Sequence, residues 1–111
     1  MRAPNHVDGR RRLWPRNYLT DPFTFGQDPA AERCVPDGGD MCSARVAWLQ
    51  HQLACRWQVA GPTTSARQLA RVYGLSPQVV TRSLRGERWM GETVLCALLA
   101  TLPPEPGADP S

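Results

Sequence analysis

The sequence predicts an all-α protein, a small bundle of four helices, on three observations. Apolar residues between positions 41 and 102 recur at three- and four-residue intervals, each run is bounded by residues that start or stop helices, and no stretch alternates apolar with polar residues as a strand would. Nine of the eleven prolines lie before residue 37 or after residue 102. Because proline interrupts helices and strands alike, the expected organisation has three parts. They are a long extended or disordered N-terminal arm over residues 1–42, a helical domain over 43–102, and a short Pro-rich acidic tail over 103–111.

Within the arm, Arg10-Arg-Arg is a basic cluster, and Tyr18-Leu-Thr-Asp-Pro-Phe-Thr-Phe25 supplies aromatics without a clear period. A mostly irregular leader with one or two docking residues is the expectation. Asp37-Gly-Gly-Asp40 is a turn signal and marks the boundary. The first helix is expected over residues 41–60, with Val46, Leu49, Leu53, Trp57 and Ala60 forming one apolar stripe that faces the core. Trp48, His51, Cys55 and Val59 fall roughly 180° away as a second stripe. Two apolar faces need two partners, and the second is either the folded-back arm or another protein surface, including a second copy of the chain.

Ser65 opens the second helix with a capping box, its hydroxyl toward the Gln68 amide and the Gln68 side chain reaching back. Ala66, Leu69, Ala70 and Tyr73 face inward, and Arg67 and Arg71 outward. Gly74 supplies the positive φ of a sharp turn, Leu75 plugs it, Ser76 caps the third helix, and Pro77 occupies the first helical position, where a missing N–H costs little. The third helix ends at Gly86. A fourth, over 91–101, is expected to bury Val94, Leu95, Leu98, Leu99 and Leu102, with Cys96 also in the core, before Pro103-Pro104 stops it.

The formal charge of +3 averages unlike regions. Residues 43–102 carry seven arginines against Glu87 and Glu92, whereas residues 1–42 balance six arginines with six acids. The positive field therefore lies on the helical domain and points to a polyanion. All thirteen basic residues are arginine, which suits bidentate contact with phosphate or guanine and also follows from a GC-rich coding sequence, as in a high-GC bacterium. No run approaches the roughly 20 apolar residues of a membrane span, and no signal peptide is read at the N-terminus, so a cytoplasmic protein is expected. Its four cysteines are then expected as thiols or metal ligands.

The run Ala66-Arg-Gln-Leu-Ala-Arg-Val-Tyr-Gly-Leu-Ser-Pro-Gln-Val-Val-Thr-Arg-Ser-Leu-Arg-Gly-Glu-Arg-Trp resembles the helix-turn-helix of the phage repressor and Cro family, also called the XRE family. Three features match together: Leu-Ala in the first helix, Gly-Leu-Ser at the turn, and a second glycine twelve residues after Gly74 followed by a basic residue. The resemblance implies a sequence-specific transcriptional regulator of repressor type that binds double-stranded DNA on the nucleoid. It places Ser76, Pro77, Gln78, Thr81, Arg82 and Arg85 at or near the major groove. Residue chemistry then suggests Gln78 for an adenine edge, Arg82 for guanine, Thr81 beside them, and Arg67, Arg71, Ser76, Arg85 and Arg88 for phosphates. The chain departs from the family at Ser83, commonly apolar, and at Leu84, commonly polar; no fifth helix follows residue 102.

Other constellations are weaker. Cys34, Cys42, His51 and Cys55 invite a zinc reading, because His51 and Cys55 are one helical turn apart, but no paired CxxC knuckle is present and ordinary thiols explain the same residues. No cofactor is expected. The cluster at residues 10–12 suits either a minor-groove arm or a solvated charge run. Scattered acids and distant histidines give no support to an enzyme. The alternative to DNA binding is a protein-interaction module that receives a sigma factor or another regulator through Trp48, His51, Cys55 and Val59 of the first helix together with the arm.

Overall fold

A computed structural model describes residues 13–59 and 65–102. Among the described residues the α-helices are four: α1 (Met41–Val59), α2 (Ala66–Val72), α3 (Pro77–Leu84) and α4 (Glu92–Thr101). The all-helical class holds, since no strand forms among the described residues and the only extended pairing is an isolated antiparallel bridge between Leu19 and Arg33. The basic cluster at residues 10–12, the segment 60–64 and the tail 103–111 lie outside the described residues.

Helix α1 begins where Asp40 accepts the Ser43 amide at 2.7 Å and the Ser43 hydroxyl at 2.9 Å. Both bonds favour the carboxylate, which holds the Asp40 acid below its ordinary range. The helix lies between two layers. On one side Leu53, Ala54 and Trp57 join Leu69, Ala70, Val80, Leu84, Val94, Ala97 and Leu98 in the main core. Gln50 sits at the centre of that contact, fully engaged: its amide donates to the Ser83 and Arg88 carbonyls at 2.9 and 3.0 Å, and its Oε1 accepts the Met90 amide at 2.9 Å. Farther along, the Trp57 indole donates to Thr101 Oγ1 at 2.9 Å and ties α1 to the end of α4.

The other side of α1 is covered by the arm. Residues 13–40 are not an extended leader but a folded layer with two 3-10 turns, Pro15–Tyr18 and Pro22–Thr24. Tyr18, Leu19 and Phe25 are buried. Tyr18 packs edge-on against Trp89 at 6.0 Å, and the Trp89 indole donates to the Leu13 carbonyl, joining the arm to the segment after α3. The Arg16 amide donates to the Gly86 carbonyl at 3.0 Å. Glycine is required at 86 twice over, by φ of +73° and because a Cβ there would meet the Phe25 ring at 2.6 Å.

Two expected core faces roll. In α1, Leu53 and Trp57 are buried, but Val46 and Leu49 are 49% and 64% exposed, and the buried positions are instead Ala44, Ala47, Gln50, His51, Ala54 and Cys55. Three of these positions are alanines, whose short side chains let the neighbouring layers approach the helix closely. In α4, Val94, Ala97 and Leu98 are buried, whereas Leu95, Cys96 and Leu99 are exposed. Cys96 is therefore not a core residue. Tyr73, expected inside, is also partly exposed, as the C-terminal cap of α2.

Candidate nucleic-acid interface

The α2–α3 pair is built from local signals. Ser65 and Gln68 exchange the two bonds of the capping box at 3.0 and 3.1 Å. The chain then turns at Gly74, whose φ is +68°; nothing lies within 4 Å of a Cβ there, so backbone conformation alone asks for glycine. The Leu75 amide closes the turn on the Ala70 carbonyl at 2.7 Å, and its side chain packs against the core. Ser76 accepts the Gln78 amide at 3.2 Å, with Pro77 opening α3.

Helix α3 has a sharp division of faces. Val80, Ser83 and Leu84 are buried, and Gln78, Arg82 and Arg85 are exposed at i, i+4 and i+7. The two departures at Ser83 and Leu84 are both accommodated inside. Ser83 donates its hydroxyl to the Val79 carbonyl at 2.7 Å, so a polar side chain occupies an apolar position with its bond made. On the outer face Pro77, Gln78, Thr81, Arg82, Arg85 and Glu87 line one groove of about 350 Å³. The three residues expected to contact bases thus lie together, with Arg85 beside them. Arg67, Arg71, Ser76 and Arg88 are exposed but do not line this groove.

A second groove of about 350 Å³ adjoins the first and is lined by Arg16, Pro22, Phe23, Phe25, Gln27, Arg85 and Glu87. Sequence reasoning did not place Arg16, Phe23 or Gln27 near α3. Their position depends on burial of Phe25 some 60 residues away from its neighbours in α3, and only the cap signal Asp21-Pro22 marks the turn that presents them.

The second stripe of α1 has its partner within the chain. His51 Nδ1 accepts the Gly26 amide at 3.0 Å, and its Nε2 lies 2.9 Å from the Asp28 carbonyl. Together these bonds define the neutral tautomer with the proton on Nε2. Phe25 and Trp48 flank the ring, and Gln58 donates to the Gly26 carbonyl at 2.8 Å. Burial lowers the His51 pKa, against opposing contributions from the Asp28 carbonyl and carboxylate. The Cys55 thiol is pushed up to about 11, first by burial and then by the charge of Asp28. His51 and Cys55 thus face residues 25–29 of their own chain rather than an open surface; the Val59 side chain lies outside the description.

The four zinc candidates Cys34, Cys42, His51 and Cys55 are not gathered at one point. Cys55 Sγ lies 3.7 Å from both His51 ring nitrogens, but Cys42 is exposed nine residues before His51 on the same helix, about 13.5 Å along its axis. The Cys34 thiol is directed to the Asn17 carbonyl at 3.6 Å. All four cysteines are free, and among the described residues no three His, Cys, Asp or Glu side chains come together to hold a metal. No described helix is long and apolar enough to cross a membrane. Comparison with protein-family models, curated proteins and solved structures yields no match.

Proposed function

We propose that the α2–α3 pair is a helix-turn-helix of the phage repressor and Cro type, and that the chain is a sequence-specific regulator that reads duplex DNA in the major groove. One observation carries this reading: Gln78, Thr81, Arg82 and Arg85 share an exposed groove on the outer face of a helix whose opposite face is core. Gln78 is assigned to an adenine edge and Arg82 to guanine O6 and N7, with Thr81 between them. Arg67, Arg71, Ser76, Arg85 and Arg88 are assigned to phosphates, which fix the register of the helix without reading sequence.

Site selection from a random duplex pool, followed by anisotropy titrations across a salt series, tests the assignment. Arg82→Ala is expected to cost about 1–3 kcal/mol and relax preference at one base position, while Arg67→Gln weakens all sequences alike and lowers the salt slope by about 1. Retention of no duplex at low salt, or enrichment of no sequence, overturns the reading.

A second reading rests on a different surface from the buried stripe. Val46 and Leu49, neighbours at i and i+3 on α1, are both exposed, and a regulator such as a sigma factor would use that face of α1 for docking. Leu49→Asp would then abolish co-purification with that partner and leave DNA retention intact.

A further inference from the structure

The two grooves form one surface, because Arg85 and Glu87 line both. It runs from Pro77 at the start of α3 to the second 3-10 turn of the arm. That turn is rigidly built: Asp21 Oδ1 accepts the Phe23 amide at 3.1 Å, and the Thr24 hydroxyl donates to the Asp21 carbonyl at 2.6 Å. Phe25 anchors it in the core at 2% exposure, and Phe23 is held out at 85%. The neighbouring Arg16 is fixed through its backbone bond to Gly86. Two phenyl rings, an amide, two guanidiniums and the Glu87 carboxylate therefore line a single groove that continues from the face carrying the base-reading residues.

We infer that this second groove takes the sugar–phosphate backbone of duplex DNA beside the bases read by α3. The inference rests on the DNA-reading proposal. A strand whose bases face α3 must carry its backbone past the helix, and the backbone alternates an anionic phosphate with a largely apolar deoxyribose. Arg16 and Arg85 match the phosphate, Gln27 adds an amide donor, and Phe23 matches the sugar. Glu87 opposes this ligand. Its carboxylate lies 3.9 Å from Arg16 in the free protein, so an entering phosphate competes with Glu87 for that guanidinium. Glu87 thus weakens binding to every sequence alike, and the arm converts a reading helix into a wider, sequence-independent grip.

Anisotropy titrations of the full chain on a site-selected duplex and on a scrambled duplex of equal length test this across a salt series. Phe23→Ala is expected to weaken both duplexes by about fivefold while preserving their ratio. Arg16→Gln keeps the backbone bond and is expected to lower the salt slope by about 0.9. Glu87→Gln is expected to strengthen binding to both. Circular dichroism checks each fold, and the exposure of Phe23 makes its variant the reference. If wild type discriminates the duplexes and Arg82→Ala relaxes that preference, but Phe23→Ala and Arg16→Gln change neither affinity nor slope, the second groove is wrongly assigned and the reading helix stands. If wild type retains neither duplex, both assignments fall together.

Discussion

The α2–α3 pair and the docked arm are held by different kinds of contact. Within the pair, the caps at Ser65 and Ser76 and the turn bond from Leu75 to Ala70 connect residues at most five apart. In the arm, the bonds of Gly26 and Asp28 to His51, of Gly26 to Gln58 and of Trp89 to Leu13 connect residues 23 to 76 apart. Local bonds form with little loop-closure cost, whereas the arm's bonds form only once distant segments of the chain have met. The pair therefore specifies its own shape, and the arm reports on the integrity of everything else.

The largest test of that contrast is Phe25→Ala. The ring is buried against Gly86 and His51, and its removal is expected to cost about 3–5 kcal/mol in denaturant unfolding. Loss of the arm alone, with unchanged amide protection in α1 and α4, would break the comparison by making the arm an independent unit.

Acid provides the next test. Protonated His51 would present an N–H to the Gly26 N–H and leave that donor unpaired, a cost of about 1–3 kcal/mol. Because the folded pKa is lowered, the unfolded chain binds the proton more readily; stability is full above the ordinary 6.5 and falls as pH drops below it. A pH series of urea midpoints should show this slope in wild type and lose it in His51→Asn. An unchanged slope in the variant would discard His51 as the acid-sensitive latch.

Changes in the pair should be smaller. Gly74→Ala places a Cβ in open space but keeps positive φ, for a cost of about 1–2 kcal/mol. Ser65→Ala removes one cap and should cost about 1 kcal/mol. Thermal melts that rank either change above Phe25→Ala would reverse the order argued from contact range.

Legibility in the sequence follows the same division. The capping box, Gly74 and Ser76-Pro77 locate α2, the turn and α3 because each acts within its own neighbourhood. The roll of α4 was not legible: Val94-Leu-Cys-Ala-Leu-Leu99 is apolar all round, so periodicity offers no contrast to choose a face. In α1 the alanines and Gln50 mark close approach of two layers, a property of the partners rather than of the helix. The arm's role was legible only as one of two possible partners for the stripe of Trp48, His51 and Cys55, the folded-back arm or another protein surface. Its occupant, Phe25-Gly26, could not be chosen without three-dimensional closure.

Gln50 has a consequence for how any ligand of α3 can be measured. One uncharged side chain splices the middle of α1 to the end of α3 and the entrance of α4. Amide-to-carbonyl bonds of this sort do not respond to counterions, so ionic strength can be varied without loosening this joint. The slope of affinity against salt then carries no contribution from a shift in the aim of α3.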